Sequence, residues 1–262
     1  MSDIGSVESL WRYPVKSMHG EALEQVFFGF SGVYGDRLCV FHDTQGRAGF
    51  PWLTGRELRD MILFTPRFRD AANSYMPPNL EAAQNLAPGV APMYASADDL
   101  VIDVNTPSGT TFAVDDPALA QLLATQLGRS SAPQLRRSDK GFADCRPLSL
   151  FSLQTARQLG SEVGFEVDPR RFRANVYLDL GDAEGFAEDA LVGQRLQLGE
   201  QVVISVLERD PRCAMVTLDP DTAESNPKIL RQIAQGHETS AGVYGAVLSE
   251  GIVRSGDRVI VL

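Results

Sequence analysis

The chain has 262 residues, 44% hydrophobic and 22% charged, with a formal net charge of −10 and three cysteines. This is the composition of a soluble globular protein with one large or two modest cores, and its acidity argues against duplex nucleic acid or an anionic membrane as partner. Cys39, Cys145 and Cys213 form no C-x-x-C pair, which removes a disulfide framework and a cysteine-rich zinc or iron–sulfur site and suits a reducing, cytoplasmic setting.

The opening M-S-D-I-G-S-V-E-S-L lacks the basic and apolar regions of a secretory signal. No apolar run reaches the roughly 18 residues that span a bilayer. Short strand patterns then dominate. Ser6–Tyr13 leads into the loop P-V-K-S-M-H-G, Ala22–Phe30 follows, and a G-V-Y-G-D-R turn opens a strand over 38–42. Residues 71–97, rich in Pro, Ala and Asn, read as an irregular excursion. Further strands are predicted over 100–104, 110–114, 174–180, Val202–Leu207, Gly242–Leu248 and 257–262, the short, turn-bounded runs of a barrel or mixed sheet.

Three short helices interrupt them. Asp116 caps the first, with Pro117 in its first turn, a stripe of Leu119, Leu122, Leu123 and Leu127, and Gly128 as its stop. The second covers Ser152–Leu159 and ends at Gly160. The third has Asn226 as cap, Pro227 next, Ile229, Leu230 and Ile233 facing the core, and Gly236 at its end. The charged stretch 129–143 reads as an exposed connector, with a domain boundary close to it.

Cys213 stands just past the strand Q-V-V-I-S-V-L, beyond Arg209, Asp210, Pro211 and Arg212. Two neighbouring guanidinium groups should lower a thiol from its usual value of about 8.5 and favour the thiolate, the form that ligates soft metals or attacks electrophiles. A small buried hydrophobe is the competing reading, and the local residues leave both open. Cations recur where strands end: Lys16 beside Ser17, Arg37 after Asp36, Arg56, the run Arg170, Arg171 and Arg173, and Arg209 and Arg212. Converged, they would suit phosphate oxygens; dispersed, they are ordinary surface charges. In R-R-F-R-A-N, strand alternation would send Arg171, Arg173 and Asn175 to one polar face.

Other chemistries find little support. A Schiff base of pyridoxal phosphate on Lys16 lacks a phosphate cup and a pyridinium partner. His19, His42 and His237 have no zinc-hydrolase spacing, and the serine-hydrolase elbow, P-loop and dinucleotide fingerprints are missing.

Several blocks taken in order resemble the MOSC family of molybdenum-cofactor-binding domains, in particular the branch of the mitochondrial amidoxime-reducing component and its bacterial relatives. L-W-R-Y-P-V-K-S-M-H-G-E-A-L, G-V-Y-G-D-R-L-C-V-F and F-P-W-L-T-G-R-E-L resemble the N-terminal MOSC segment. D-C-R-P-L-S-L-F-S, V-D-P-R-R-F-R-A-N-V-Y-L-D, R-C-A-M-V-T-L-D-P-D-T-A-E and G-V-Y-G-A-V resemble the MOSC domain proper. The resemblance implies a mainly β fold with few short helices, an N-terminal β-rich domain (1–100) packed on a MOSC β-barrel (101–262), and a cationic pocket between them. It implies Cys213 as thiolate ligand to molybdenum. Lys16, Ser17 and Arg37 would hold the pterin phosphate, with Arg173 and Asn175 on the pterin body and Tyr244 closing the pocket. Arg56, Ser152 and Arg212 join them as further cofactor contacts, and Asp144 is the acid beside the metal. The implied activity is reduction of N-hydroxylated substrates with the molybdenum cofactor. No cysteine follows 213 in this sequence, so the iron–sulfur domain of some bacterial relatives is not expected, nor is the anchor of the mitochondrial members, and electrons are expected from a separate ferredoxin- or cytochrome-type donor. The rival expectations are a non-catalytic cofactor carrier or sulfur-transfer module with a Cys213 persulfide, and a barrel scaffold without cofactor.

Overall fold

The computed structural model describes residues 1–46, 49–87, 94 and 100–262, with only the backbone of Gln84. Its strands are β1 (Ser2–Arg12), β2 (Glu21–Leu23), β3 (Gln25–Gly29), β4 (Gly32–Val33), β5 (Cys39–His42), β6 (Thr65–Phe68), β7 (Ile102–Asn105) and β8 (Thr111–Ala113). They continue as β9 (Gln134–Arg137), β10 (Leu148–Ser152), β11 (Val176–Asp179), β12 (Arg195–Leu198), β13 (Val202–Pro211), β14 (Ser240–Ser249), β15 (Gly251–Arg254) and β16 (Arg258–Val261). The helices are α1 (Leu80–Gln84), α2 (Pro117–Leu127), α3 (Leu153–Val163) and α4 (Pro227–Gly236).

Seven strands close a barrel in the order β11–β10–β14–β13–β12–β16–β1, because β1 pairs back onto β11 and leaves β2 as an appendage. Closure removes the free sheet edges. Alternation places Ile204 and Val206 on β13 inward, and on β1 the irregularity between Val7 and Ser9 shifts the parity so that Val7 and Leu10 both face the core; with Val243 on β14 all are fully buried. Each contributes roughly 1.5–3 kcal/mol on burial. Gly5, at φ 144°, lets β1 pass β11, since a Cβ there would lie 2.0 Å from the Asp179 carbonyl oxygen.

A second core gathers Val15, Leu38, Phe41, Leu53, Phe64, Val104 and Leu119 beside the barrel. A third packs α3 and α4 on the barrel's outer face through Leu159, Ile229 and Ile233 against Phe151 and Tyr177. Buried Arg12 ties the segment after β6 to the barrel: its Nε bonds Glu21 at 2.7 Å and its Nη2 the Ser74 hydroxyl at 3.1 Å.

Several boundaries differ from expectation. The second helix runs through Gly160 to Val163, because the left-handed residue that stops it is Gly164 at φ 80°. Gly160 instead allows close approach, its missing Cβ lying 3.1 Å from the Phe165 carbonyl oxygen. The predicted 174–180 strand starts at Val176. Before it, Pro169–Phe172 is a helical turn capped by Asp168, so simple alternation does not apply to the R-R-F-R-A-N arginines. The 129–143 connector contains β9, which pairs with β5. Ala22–Phe30 divides into β2 and β3. In the 71–97 excursion, α1 is described, while 88–93 and 95–99 lie outside the described residues.

Candidate functional site

At one end of the barrel, β13 runs out at Pro211 and Cys213 follows as the cap of a helical turn, Ala214–Thr217. The loop after β1, the turn before β5, the Pro169–Phe172 turn and the segment before β10 converge on the same place. They enclose a hollow of about 100 Å³ that opens to solvent.

The backbone around this hollow is unusual. Ser17 (φ 66°), Arg37 (φ 49°) and Arg173 (φ 53°) are non-glycine residues in the left-handed region, and all three line it. Each such conformation costs roughly 1–2 kcal/mol and is held by its surroundings. The Lys16 amide bonds the Cys39 carbonyl at 2.8 Å, and the Arg37 amide bonds Tyr13 at 2.7 Å. Tyr13, almost fully buried, presents its ring to two guanidinium groups, Arg173 at 4.2 Å and Arg37 at 4.8 Å. An aromatic face is attractive to cations and lets two of them approach in a confined space.

Seven cationic side chains (Lys16, Arg37, Arg56, Arg146, Arg171, Arg173 and Arg212) and two carboxyls (Asp144 and Asp210) line the hollow of a chain whose net charge is −10. Lys16 donates to Asp144 Oδ1 at 2.6 Å and to the Phe142 carbonyl at 2.7 Å. Burial pushes the Lys16 ammonium down despite that partner. For Asp144, burial pulls upward, but Lys16 and, more weakly, Arg37 and Arg56 outweigh it and hold the carboxyl below its usual range. Arg37 is paired with Asp36 and donates to the Arg173 carbonyl at 2.9 Å.

Among the described residues, no carboxylate is ion-paired with Arg173. Burial lowers it, and its Nη2 is buried without a hydrogen-bond partner. The Arg171 Nε is likewise unpartnered, although its other nitrogens reach the Thr217 carbonyl at 3.0 Å and Asp219 at 2.6 Å. The Arg212 Nη2 lies 2.7 Å from Asp210 Oδ2 but is poorly aligned for a hydrogen bond. Guanidinium nitrogens buried without acceptors are costly, and an oxyanion in the hollow would satisfy them.

Asp210, three residues before Cys213, is a residue of the hollow to which the sequence assigned no role. It is 2% exposed and accepts from the Ser149 hydroxyl at 2.8 Å. Burial raises its carboxyl above the ordinary range despite Arg212. Tyr244, half-buried on the hollow's wall, is raised by burial and by Asp210.

Ten of the expected site residues line the hollow: Cys213, Asp144, Lys16, Ser17, Arg37, Arg56, Arg173, Asn175, Arg212 and Tyr244. Asn175 is already engaged, accepting from the Ser149 amide at 3.3 Å and donating to the Trp11 carbonyl at 3.2 Å. Arg56 stays exposed at the rim, over the Phe50 ring at 5.3 Å. Ser152 is placed elsewhere. It is fully buried as the cap of α3, its hydroxyl 2.7 Å from Glu188, because that helix end needs an acceptor and a negative charge. Arg209 also turns away, toward Asp189 at 2.8 Å and Glu238 at 2.7 Å, so only Arg212 of the expected flanking pair reaches the hollow. Cys213 itself is half-buried, neither sealed in a core nor freely exposed.

Two family models divide the chain between them: the MOSC N-terminal β-barrel domain matches residues 4–129 and the MOSC domain residues 137–260. The chain belongs to the MOSC family. Among curated relatives, this MOSC chain is 25% identical over 242 residues to mitochondrial amidoxime reducing component 2 of Bos taurus and 24% identical to that of Macaca fascicularis. Each match covers 85% of this chain and 69% of the relative. Among solved structures, the YuaD protein of Bacillus subtilis aligns over 97% of this MOSC chain and 93% of its own, at 13% identity and a TM-score of 0.47. No described helix is long and apolar enough to cross a membrane.

Proposed function

We propose that this MOSC protein binds a molybdenum-bearing pterin cofactor in the hollow and reduces N-hydroxylated compounds with electrons from a separate donor protein. The observation that carries the reading is the pair of buried, unpartnered guanidinium nitrogens on Arg171 and Arg173 beside the half-buried Cys213 thiol. A cationic wall with free donors suits a phosphorylated cofactor, and a lone thiol suits a metal that brings its other ligands with it. The described residues hold no cluster of three His, Cys, Asp or Glu able to bind a metal unaided, so the protein's share of the coordination would be Cys213.

In this reading Lys16, Ser17 and Arg37 hold the phosphate, Arg171 and Arg173 face the pterin body, and Cys213 ligates molybdenum. When bound, the group supplies a two-electron redox centre. The chain's own work is to bind, orient and handle protons. Removing oxygen from an N–OH group as water consumes two electrons and two protons. Asp210, raised by burial, is the carboxyl of the hollow that most readily keeps a proton. Asp144, held as a carboxylate by Lys16, is the weaker acid source in this arrangement.

The test is molybdenum per chain after expression in a host that makes the cofactor, for native protein and Cys213→Ser, followed by benzamidoxime reduction with a reduced viologen dye. Near-stoichiometric metal that is lost in the variant, with Cys213-dependent turnover, supports the proposal. Equal metal in both, or none in the native protein, overturns it. Metal binding without turnover replaces the reductase with a cofactor carrier or sulfur-transfer module working through Cys213.

A further inference from the structure

We propose that Asp144 is an internal stand-in for the phosphate of the bound cofactor, a latch that holds Lys16 until an oxyanion displaces it. The inference rests on the cofactor cradle proposed above and adds how that cradle is kept and opened.

The two partners are held very differently. Lys16 is nearly inaccessible, its side chain 7% exposed, and its backbone is fixed to β5 through the Cys39 carbonyl. An ammonium in that position needs a permanent anionic partner, because an unpaired buried charge is strongly unfavourable. Asp144 has a side chain 54% exposed. Among the described residues, no backbone hydrogen bond is made by Ala143, Asp144 or Cys145, whereas Phe142 just before them is anchored to the Arg37 carbonyl at 2.8 Å. The cation is therefore fixed and the anion is carried on a short free segment next to a firm hinge point.

The carboxylate also stands where an oxyanion would be drawn. Lys16, Arg37 and, from the rim, Arg56 all act on it, and the first two belong to the proposed phosphate cradle. A phosphate dianion carries more charge and more acceptor oxygens than one carboxylate, so it can engage these donors together. Exchange leaves Lys16 paired throughout and sets Asp144 free at the hollow's mouth. Competition of this kind lowers the apparent affinity of the open site by the fraction of time the latch is closed.

The experiment is calorimetric titration of the full chain with inorganic phosphate at low salt, for native protein, Asp144→Asn, Lys16→Met and the double variant. Thermal unfolding checks that each is folded, and Asp144→Ser serves as a second latch variant. The expected result is phosphate affinity about tenfold higher in Asp144→Asn, a coupling of about 1.4 kcal/mol, with the gain abolished in the Lys16→Met background. Equal affinity in native and Asp144→Asn protein overturns the latch and leaves the cradle standing. A gain that persists without Lys16 assigns the effect to the loss of a nearby negative charge and overturns it equally. Absence of phosphate binding in every folded variant overturns the cradle itself, and the latch with it.

Discussion

Asp210 on β13 and Tyr244 on the neighbouring strand β14 both line the hollow, where burial raises each of them and the carboxyl raises the phenol further. The register that pairs Glu208 with Tyr244 includes an irregularity between Val206 and Glu208, which helps turn this part of the ladder toward the opening. Asp210 also meets Ser149 on β10 and Arg212 just beyond β13, so one carboxyl ties β13 to β10 and to the chain segment that bears Cys213.

Removing that carboxyl should therefore be costly. Asp210→Ala leaves the Arg212 guanidinium buried without a counter-charge, and a loss of about 3 kcal/mol is expected from the usual effect of breaking a buried pair. Asp210→Asn keeps an acceptor for Ser149 and should lose less. Urea unfolding of the two variants decides it, and an Ala variant as stable as the native protein would refute the linking role.

Arg173→Met should have the opposite profile. The native guanidinium is desolvated with no carboxylate ion-paired to it among the described residues, and what it gains from Tyr13 is an aromatic contact of about 1–2 kcal/mol. Methionine removes both the burial cost and that contact, so folding stability should change by less than about 1 kcal/mol. Molybdenum retained per chain should fall by about tenfold, equivalent to about 1.4 kcal/mol. A large loss of stability with unchanged cofactor occupancy would show that Arg173 serves the fold instead.

Ser152→Ala tests a residue that the fold removed from the site. It should cost about 1 kcal/mol as a lost helix cap and leave phosphate and molybdenum binding unaltered. A selective effect on either ligand would return Ser152 to the site.

Acid unfolding should report on the Lys16–Asp144 pair. The carboxyl lies lower in the folded protein than in the unfolded chain, so its contribution is present above the ordinary carboxyl range and is lost as the pH falls through the depressed value. Asp144 is half in water, so the effect is modest. The acid limb of stability against pH should be shallower in Asp144→Asn, and identical limbs would show that the pair contributes nothing.

Thiol labelling separates the three cysteines. Cys39 is fully buried and pushed up to about 11 by that burial, whereas Cys145 is exposed and Cys213 half-buried. At neutral pH the native protein should alkylate at Cys145 and Cys213 and leave Cys39 untouched until it unfolds. Early modification of Cys39, read by mass spectrometry of peptides, would contradict its placement in the second core.

The amino-acid sequence alone determined the features that depend on neighbours along the chain. Alternating apolar residues produced most of the barrel strands, and the Asp116–Pro117 and Asn226–Pro227 pairs set the starts of α2 and α4. The ordered K-S, D-R, R-R-F-R-A-N and R-C blocks pointed to the cations and the thiol. What required the tertiary structure was the direction of each polar side chain. Arg209 and Arg212 differ by three positions, yet one ends on Asp189 and the other on the hollow, because their partners come from distant segments. Ser152 caps α3 through the Thr155 amide while its hydroxyl rests on Glu188, and Asp210 becomes an unusual carboxyl only once the fold buries it, against the opposing pull of Arg212 and Ser149. The left-handed turn at Arg37 is likewise held from a separate segment, its amide bonding the Tyr13 carbonyl. Burial and partner identity are non-local, and they set the charge chemistry of the hollow.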